Sequence, residues 1–254
     1  MTAFDPQAAA AALLAARRAA ARLPGALGAR SPADAYATHA ALARLLGGAV
    51  PGWKAGNLTS AQRAASGIPT AICAPLLGPW FAASPARFAR AAFVDPPALE
   101  CEFAFELGAD IPARAAPYTR ADIEARVAAL RPAIEIVDKR VAGATPLDAF
   151  ADCMASGGFV YGAPIADWRR LDLATASVAL ALDGRASAQG TGAAILGDPL
   201  LALVELANAP PLWTGLRAGQ IVTTGSCTGM TPVVDPALAV ADFGPLGKVE
   251  IRFA

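Results

Sequence analysis

The stretch ALECEFAFELG, residues 98–108, read together with RPAIEIVDKR, residues 131–140, decides how this chain folds and what it holds. Both runs are short, rich in Ile, Val and Phe, and bounded by Pro, Gly or charge, which is the pattern of β-strands. In a strand, residues i and i+2 point to the same face, so Glu100 and Glu102 project side by side. Two adjacent carboxylates repel, and burying either one without a partner is costly. A hard divalent cation resolves the conflict, because Mg²⁺ and Ca²⁺ take oxygen ligands. Glu135, on the second strand, offers the third carboxylate. The pattern alone also fits an amphipathic strand whose acidic face lies in water.

Outward from these strands, residues 5–48 read as Ala-rich helices broken by LPGALGARSP, with Asp34 as a cap and Gly47-Gly48 as a stop. Beyond Val50 the texture changes to short strands and turns. Strands are expected around Trp53 and over 98–107, 133–139, 159–161, 176–182, 186–190, 220–224, 238–242 and 248–253. Asp183-Gly184 reads as a tight hairpin turn. Helices are expected in PYTRADIEARVAALRP (117–132), TPLDAFADCMAS (145–156) and GDPLLALVELANAPP (197–211), the last capped by Asp198. The division is a helical N-terminal part, residues 1–49, and a β-rich α+β domain, residues 50–254.

The chain has 254 residues, is 55% hydrophobic and 17% charged, and has a mean hydropathy of +0.43. Much of that apolar content is alanine, which buries little area per residue. The low charge hints at surface hidden in an oligomer. Lys+Arg and Asp+Glu are both 21, so no basic excess points to nucleic acid or an anionic membrane. No apolar run approaches the roughly 18 residues of a membrane span. Residues 8–16 are followed, not preceded, by Arg17 and Arg18, unlike a secretory signal, and read as a surface helix. The four cysteines are scattered without a CxxC pair, which argues for reduced thiols in the cytoplasm. His39 is the single histidine, so a multi-His zinc site is excluded by count, and its helical setting favours packing.

Three further features carry chemistry. Lys54, between Trp53 and Gly56, can aim an ammonium into a pocket to hold a carboxylate or polarise a carbonyl. The turn in GQIVTTGSCTGMTP can bring backbone N–H groups and Thr224 or Ser226 to an anion. Asp152 can orient a partner or cap a turn. Trp80, Phe81, Tyr161 and Trp168 are candidate pocket walls, and equally good core residues.

The strings GWKAG, ECEFAFELGADIP, PAIEIVDKR, ASGGFVYG, LGDPLLALVELAN and LRAGQIVTTGS resemble the fumarylacetoacetate hydrolase superfamily, in its branch of 2-keto-4-pentenoate hydratases and 4-oxalocrotonate decarboxylases. The resemblance runs from about residue 35 to 253. It implies a β-rich roll of the fumarylacetoacetase type with few helices, and a dimer or larger ring. It implies that Glu100, Glu102 and Glu135 hold Mg²⁺ or Mn²⁺, that Lys54 is catalytic, and that Thr224, Gly225 and Ser226 bind substrate. Asp138 would stand behind the third ligand, with Asp152 also supporting the site. The implied activity is that of a lyase on a small 2-oxo or 2-hydroxydienoic acid in aromatic catabolism: a hydratase, alternatively a decarboxylase. The chain departs from the branch at Gly78-Pro79-Trp80, where hydratases carry an acidic pair after the Leu-Leu, and at Lys139 and Cys153. These departures keep open a third reading, a non-catalytic partner in a hetero-oligomer with a homologous enzyme. With His39 alone, the His–Glu dyad of the hydrolases is absent, which disfavours C–C hydrolysis.

Overall fold

A computed structural model describes residues 3–94, 96–209, 215–235 and 237–254. Two helices come first, α1 (Pro6–Ala19) and α2 (Pro32–Leu45). Asp5 caps α1 by accepting from the Gln7 and Ala8 N–H groups. Ser31, not Asp34, is the N-cap of α2. Asp34 is the reciprocal member of the capping box, because a carboxylate at the third position reaches back to the cap's own N–H.

The remainder runs β1 (Gly52–Gly56), α3 (Ser60–Ser66), β2 (Ile72–Leu76), β3 (Phe81–Ala83), β4 (Ala86–Phe88), β5 (Ala98–Leu107), α4 (Arg120–Glu124), β6 (Val127–Val137), α5 (Pro146–Ala151) and β7 (Ser156–Tyr161). Then come β8 (Ser177–Leu182), β9 (Arg185–Thr191), α6 (Leu200–Ala207), β10 (Ile221–Ser226), β11 (Thr231–Pro232), β12 (Leu238–Asp242) and β13 (Lys248–Phe253). One sheet has the order β2-β1-β10-β5-β6-β7-β3, with β11 also on β5. A second has the order β4-β13-β12-β8-β9. The architecture is the α+β, β-rich roll expected.

The helix expected over 117–132 is a correction. Only Arg120–Glu124 is helical, and Val127 already begins β6. Pro132 bars a helix from continuing and holds Arg131 extended, and pairing of Val127 with Leu107 across to β5 captures the residues upstream. The expected α6 is shorter than its string, and Pro210 and Pro211 lie outside the described residues. Asp198 accepts from Leu200 N–H at its start. Asp183 and Gly184 form the expected two-residue turn, with φ +48° and +75°.

Alternation along β5 divides the molecule. Leu99, Cys101, Phe103, Phe105 and Leu107 enter the main core with β8, β12, β13 and the α6 leucines. The opposite face carries Glu100, Glu102 and Ala104. Ala104 joins Leu76, Ala133, Phe159 and Ile221 in a smaller apolar cluster. Leu13, Leu14 and Leu42 of the N-terminal helices pack with Leu77, Val141 and Cys153. No helix among the described residues is long and apolar enough to cross a membrane.

Candidate active site and metal centre

Register builds the site. On the antiparallel pair β5–β6, Glu100 lies directly opposite Glu135, and Glu102 opposite Ala133, so all three carboxylates share one face. One oxygen of each lies within 4.8 Å of the others. Glu106, further along β5, is paired instead with Arg131 at 2.7 Å. Lys54 on β1 reaches over β10 and β5 to donate to Glu135 Oε1 at 2.8 Å and to Met154 O at 3.2 Å.

A bulge in β10 between Thr223 and Ser226 breaks the ladder with β5. Gly225 adopts φ +98° there, a conformation costly to any side-chain-bearing residue, and so turns its N–H onto Glu102 Oε2 at 2.9 Å. The Thr224 hydroxyl donates to Phe103 O at 2.7 Å. The Ser226 hydroxyl donates to Gly229 O at 3.3 Å, so the turn lines the pocket with three of its donors already directed at the protein.

Three carboxylates against one ammonium leave two negative charges in a largely buried place. Glu102 and Glu135 are fully buried, and Glu102 Oε1 and Glu135 Oε2 have no hydrogen-bond partner. Burial, then the charges of Glu135 and Glu100, push Glu102 well above the usual carboxylate range, against Lys54 and the Gly225 N–H. Burial also raises Glu100, opposed by Lys54. For Lys54, burial alone lowers the pKa, but Glu135, Glu100 and Glu102 outweigh it, and the ammonium lies above its ordinary value. Orphaned hard oxygens and uncompensated charge fit a divalent cation held by Glu100, Glu102 and Glu135.

Lys54, Glu100 and Glu102 line a cavity of about 340 Å³, walled by Leu58, Met154, Ile195 and Leu196 and by the polar Asn57, Thr59 and Gln62, with Glu135 behind Lys54. The aromatic residues named as candidate walls are elsewhere. Trp168 packs on Phe105, Phe81 lies between Phe159 and Tyr161, and Trp80 faces Arg17. They fill the apolar layers around the sheets, where large rings bury the most area. His39 is buried with Nε2 2.6 Å from Phe150 O, a packing role far from the carboxylates.

Asp138 and Asp152 do not touch the carboxylate cluster. Both pair with Arg140, at 3.0 and 2.8 Å. Arg140 and Arg17, both buried, were missed in the sequence. A signal existed for each. Ala10, Leu13, Leu14 and Arg17 follow the i, i+3, i+4, i+7 spacing of one helical face, and period-2 alternation from Asp138 puts Arg140 on its side with Lys139 outside.

No protein-family model matches the chain. A 2-keto-4-pentenoate hydratase from Burkholderia vietnamiensis is 36% identical over 160 residues, 62% of this chain and 60% of the relative. A 4-oxalocrotonate decarboxylase from a Pseudomonas species is 31% identical over 204 residues, 77% of this chain and 76% of the relative. The chain belongs to the family of 2-keto-4-pentenoate hydratases and 4-oxalocrotonate decarboxylases. Within that hydratase and decarboxylase family, it spans about 60% of the length of the first curated relatives it matches. Its fold is that of a 4-oxalocrotonate decarboxylase from Pseudomonas putida G7, solved with magnesium and adipate. The TM-score is 0.88 at 24% identity, covering 100% of this chain and 99% of the other. A Yersinia pestis protein assigned to the fumarylacetoacetate hydrolase family shares the fold more distantly. Its TM-score is 0.58 at 14% identity, over 80% of this chain and 92% of the other.

Proposed function

We propose that this protein is a lyase of small 2-oxo or 2-hydroxydienoic acids, dependent on Mg²⁺ or Mn²⁺, and first of all a hydratase of the 2-hydroxypenta-2,4-dienoate type. The observation that carries the reading is the Glu100, Glu102 and Glu135 cluster, with two unpartnered oxygens, beside Lys54, where Lys54, Glu100 and Glu102 open onto a cavity. The relatives' names and the magnesium in the Pseudomonas putida structure support it.

A bound divalent ion would supply Lewis-acid stabilisation of charge on a substrate oxygen. The chain's own groups do the rest. Lys54 keeps its proton at neutral pH, so it serves as a positive donor toward a developing oxyanion, not as a base. Leu58, Met154, Ile195 and Leu196 hold the unsaturated tail and exclude water, which strengthens every charge interaction below them. The Thr224–Ser226 turn closes one side. Four buried cysteines, none in a disulfide, fit a reducing cytoplasm, and the low charge content fits a homo-oligomer.

One observation favours the decarboxylase as second reading. Among the described lining residues, no carboxylate beyond Glu100 and Glu102 and no histidine faces the cavity, and Gly78-Pro79-Trp80 is a 3-10 turn outside it. Water addition to a distal double bond needs a proton delivered there, whereas loss of CO₂ does not. The test is an ultraviolet assay with Mg²⁺ on 2-hydroxypenta-2,4-dienoate and 4-oxalocrotonate in parallel. Metal-dependent conversion of the dienoate to a hydroxy-keto acid is the expected result. CO₂ release from 4-oxalocrotonate alone moves the protein to the second reading. Silence on both, with Mg²⁺ bound, points to a different 2-oxo acid or to a partner subunit.

A further inference from the structure

Behind Lys54 the backbone does something that L-residues avoid. Cys153, Met154 and Ala155 take φ of +52°, +53° and +59° in succession. None is Gly or Asn, so this turn persists only if its surroundings over-determine it. What it presents to the site is the Met154 carbonyl, which accepts from Lys54 Nζ at 3.2 Å, and the Met154 side chain, which lines the cavity over Gly56.

Both ends of the turn are held by one guanidinium. Arg140 donates from Nε and Nη2 to Asp152 Oδ1, at 2.9 and 2.8 Å, immediately before the turn. Its Nη2 also reaches Ser156 O at 2.9 Å, immediately after it. Arg140 Nη1 is in turn fixed by Asp138 Oδ2 at 3.0 Å, and Asp138 N–H donates to Ala155 O at 2.8 Å. Arg17 arrives from α1 and donates to Ser156 O and, at 3.5 Å, to Gly157 O. All four charged side chains are buried.

We propose that Arg140, with Asp138, Asp152 and Arg17, is a positioning device for Lys54: it forces the left-handed turn Cys153–Ala155 and so sets the Met154 carbonyl that aims the ammonium. The inference rests on the lyase reading for its kinetic consequences, but not for its structural ones. Arg140→Lys keeps the charge and loses the fork that grips both ends of the turn.

The expected result for Arg140→Lys is a fall in kcat of about 100-fold, the effect of an ångström-scale misplacement of a reacting group. KM and the Mg²⁺-induced rise in Tm stay near wild type, because Glu100, Glu102 and Glu135 stand on other elements. Ala155→Gly in that background restores kcat tenfold or more, since glycine adopts the left-handed conformation unforced. A cluster that merely stabilised the fold would show neither the kcat-specific loss nor that rescue. An activity-independent readout is acylation of Lys54 by acetic anhydride, followed by peptide mass spectrometry, with Lys139 and Lys248 as internal references. Lys54 reacts at least tenfold faster relative to them in Arg140→Lys than in wild type. A folded Arg140→Lys with wild-type kcat and unchanged Lys54 acylation overturns the proposal, as does a kcat loss that tracks loss of Mg²⁺ binding. If Arg140→Lys does not fold, Arg17→Lys carries the same predictions from the other side of Ser156. If wild type turns over neither substrate, the hydratase and 4-oxalocrotonate decarboxylase readings fail and the acylation ratio alone decides the positioning.

Discussion

Substituting Glu102 by Gln removes one charge from the carboxylate cluster and nearly nothing from its shape. In the metal-free protein each like-charged pair, at up to 4.8 Å, opposes folding by about 3 kcal/mol at an effective dielectric constant of ~20. Proton sharing relieves part of that, so Glu102→Gln should stabilise the metal-free fold by about 1–3 kcal/mol. For 254 residues, an unfolding entropy of roughly 2.1 cal/mol/K per residue makes 1 kcal/mol worth about 2 °C, so the metal-free Tm should rise by about 2–5 °C. With Mg²⁺ that gap closes. At a hundredfold excess over Kd, wild type gains about 2.7 kcal/mol, or about 5 °C, and Glu102→Gln gains nothing at the same concentration. The pH dependence follows from the raised carboxyls of Glu102 and Glu100. A carboxyl whose folded pKa is raised contributes stability that is full below its unfolded value of about 4.3 and is lost as pH climbs through the folded value. Metal-free wild type therefore weakens as pH rises from about 4.3 through the raised folded values, the Mg²⁺ increment grows over the same window, and Glu102→Gln flattens both. Differential scanning fluorimetry from pH 4 to 8, with and without Mg²⁺, reads all of this. A Glu102→Gln protein that keeps the full Mg²⁺ shift, or a metal-free wild type indifferent to pH, would show the cluster to be an ordinary acidic face.

Other perturbations follow the same geometry. Lys54→Met should lower kcat by roughly 10²–10³-fold, the scale of removing one oxyanion donor. Mg²⁺ affinity by calorimetry should hold or rise, because Glu135 loses its competing cation; loss of binding instead would make Lys54 structural. Gly225→Ala meets no closer atom than 3.8 Å, so its cost of about 1–2 kcal/mol is conformational. Urea unfolding should show that cost, together with weaker Mg²⁺ binding as the N–H swings off Glu102. His39, held down to a pKa of about 4 by burial, is neutral in the fold. Its contribution is complete above about pH 6.5 and is lost as pH falls from there toward 4, up to roughly 3 kcal/mol. His39→Gln should remove that acid sensitivity, and an unchanged acid limb in chemical denaturation would refute the assignment.

The parts of this molecule that sequence made legible are those governed by short-range rules. Period-2 alternation placed Glu100 and Glu102 on one face, and the left-handed preference of Asp-Gly set the Asp183-Gly184 hairpin. The face that Glu135 shares with them required knowing that β5 pairs with β6, which no local pattern states. The misread helix beyond Glu124 shows the converse: helix formers such as Ala128, Ala129 and Leu130 lose to strand pairing, and only Pro132 marked the limit. The aromatic walls failed because a ring has no periodicity of its own to say whether it faces a cavity or a core. Arg17 was passed over as a surface charge after an alanine run, although its position on the Leu13–Leu14 face was readable. Charge was allowed to outvote geometry.

Charge balance separates the two buried ionic clusters of this fold. Arg17 and Arg140 face Asp138 and Asp152, two of each sign, and among the described residues no carboxylate oxygen of that pair is buried without a partner. Such a cluster repays much of its desolvation internally, although Arg17 Nε is left buried without a partner. Among the described residues, Glu100, Glu102 and Glu135 have one buried cation, Lys54, with Glu102 Oε1 and Glu135 Oε2 unpartnered. The second cluster is incomplete as protein chemistry, and what completes it is a cation of charge two with affinity for oxygen. The first is balanced in charge and abuts the second through a turn, Cys153–Ala155, that relaxed backbone would not adopt. A charge-balanced cluster bracing a strained turn, beside a deficient cluster awaiting a ligand, is what a rigid site for one metal and one lysine requires, because neither the ligand set nor the ammonium can then relax away from the other before substrate arrives.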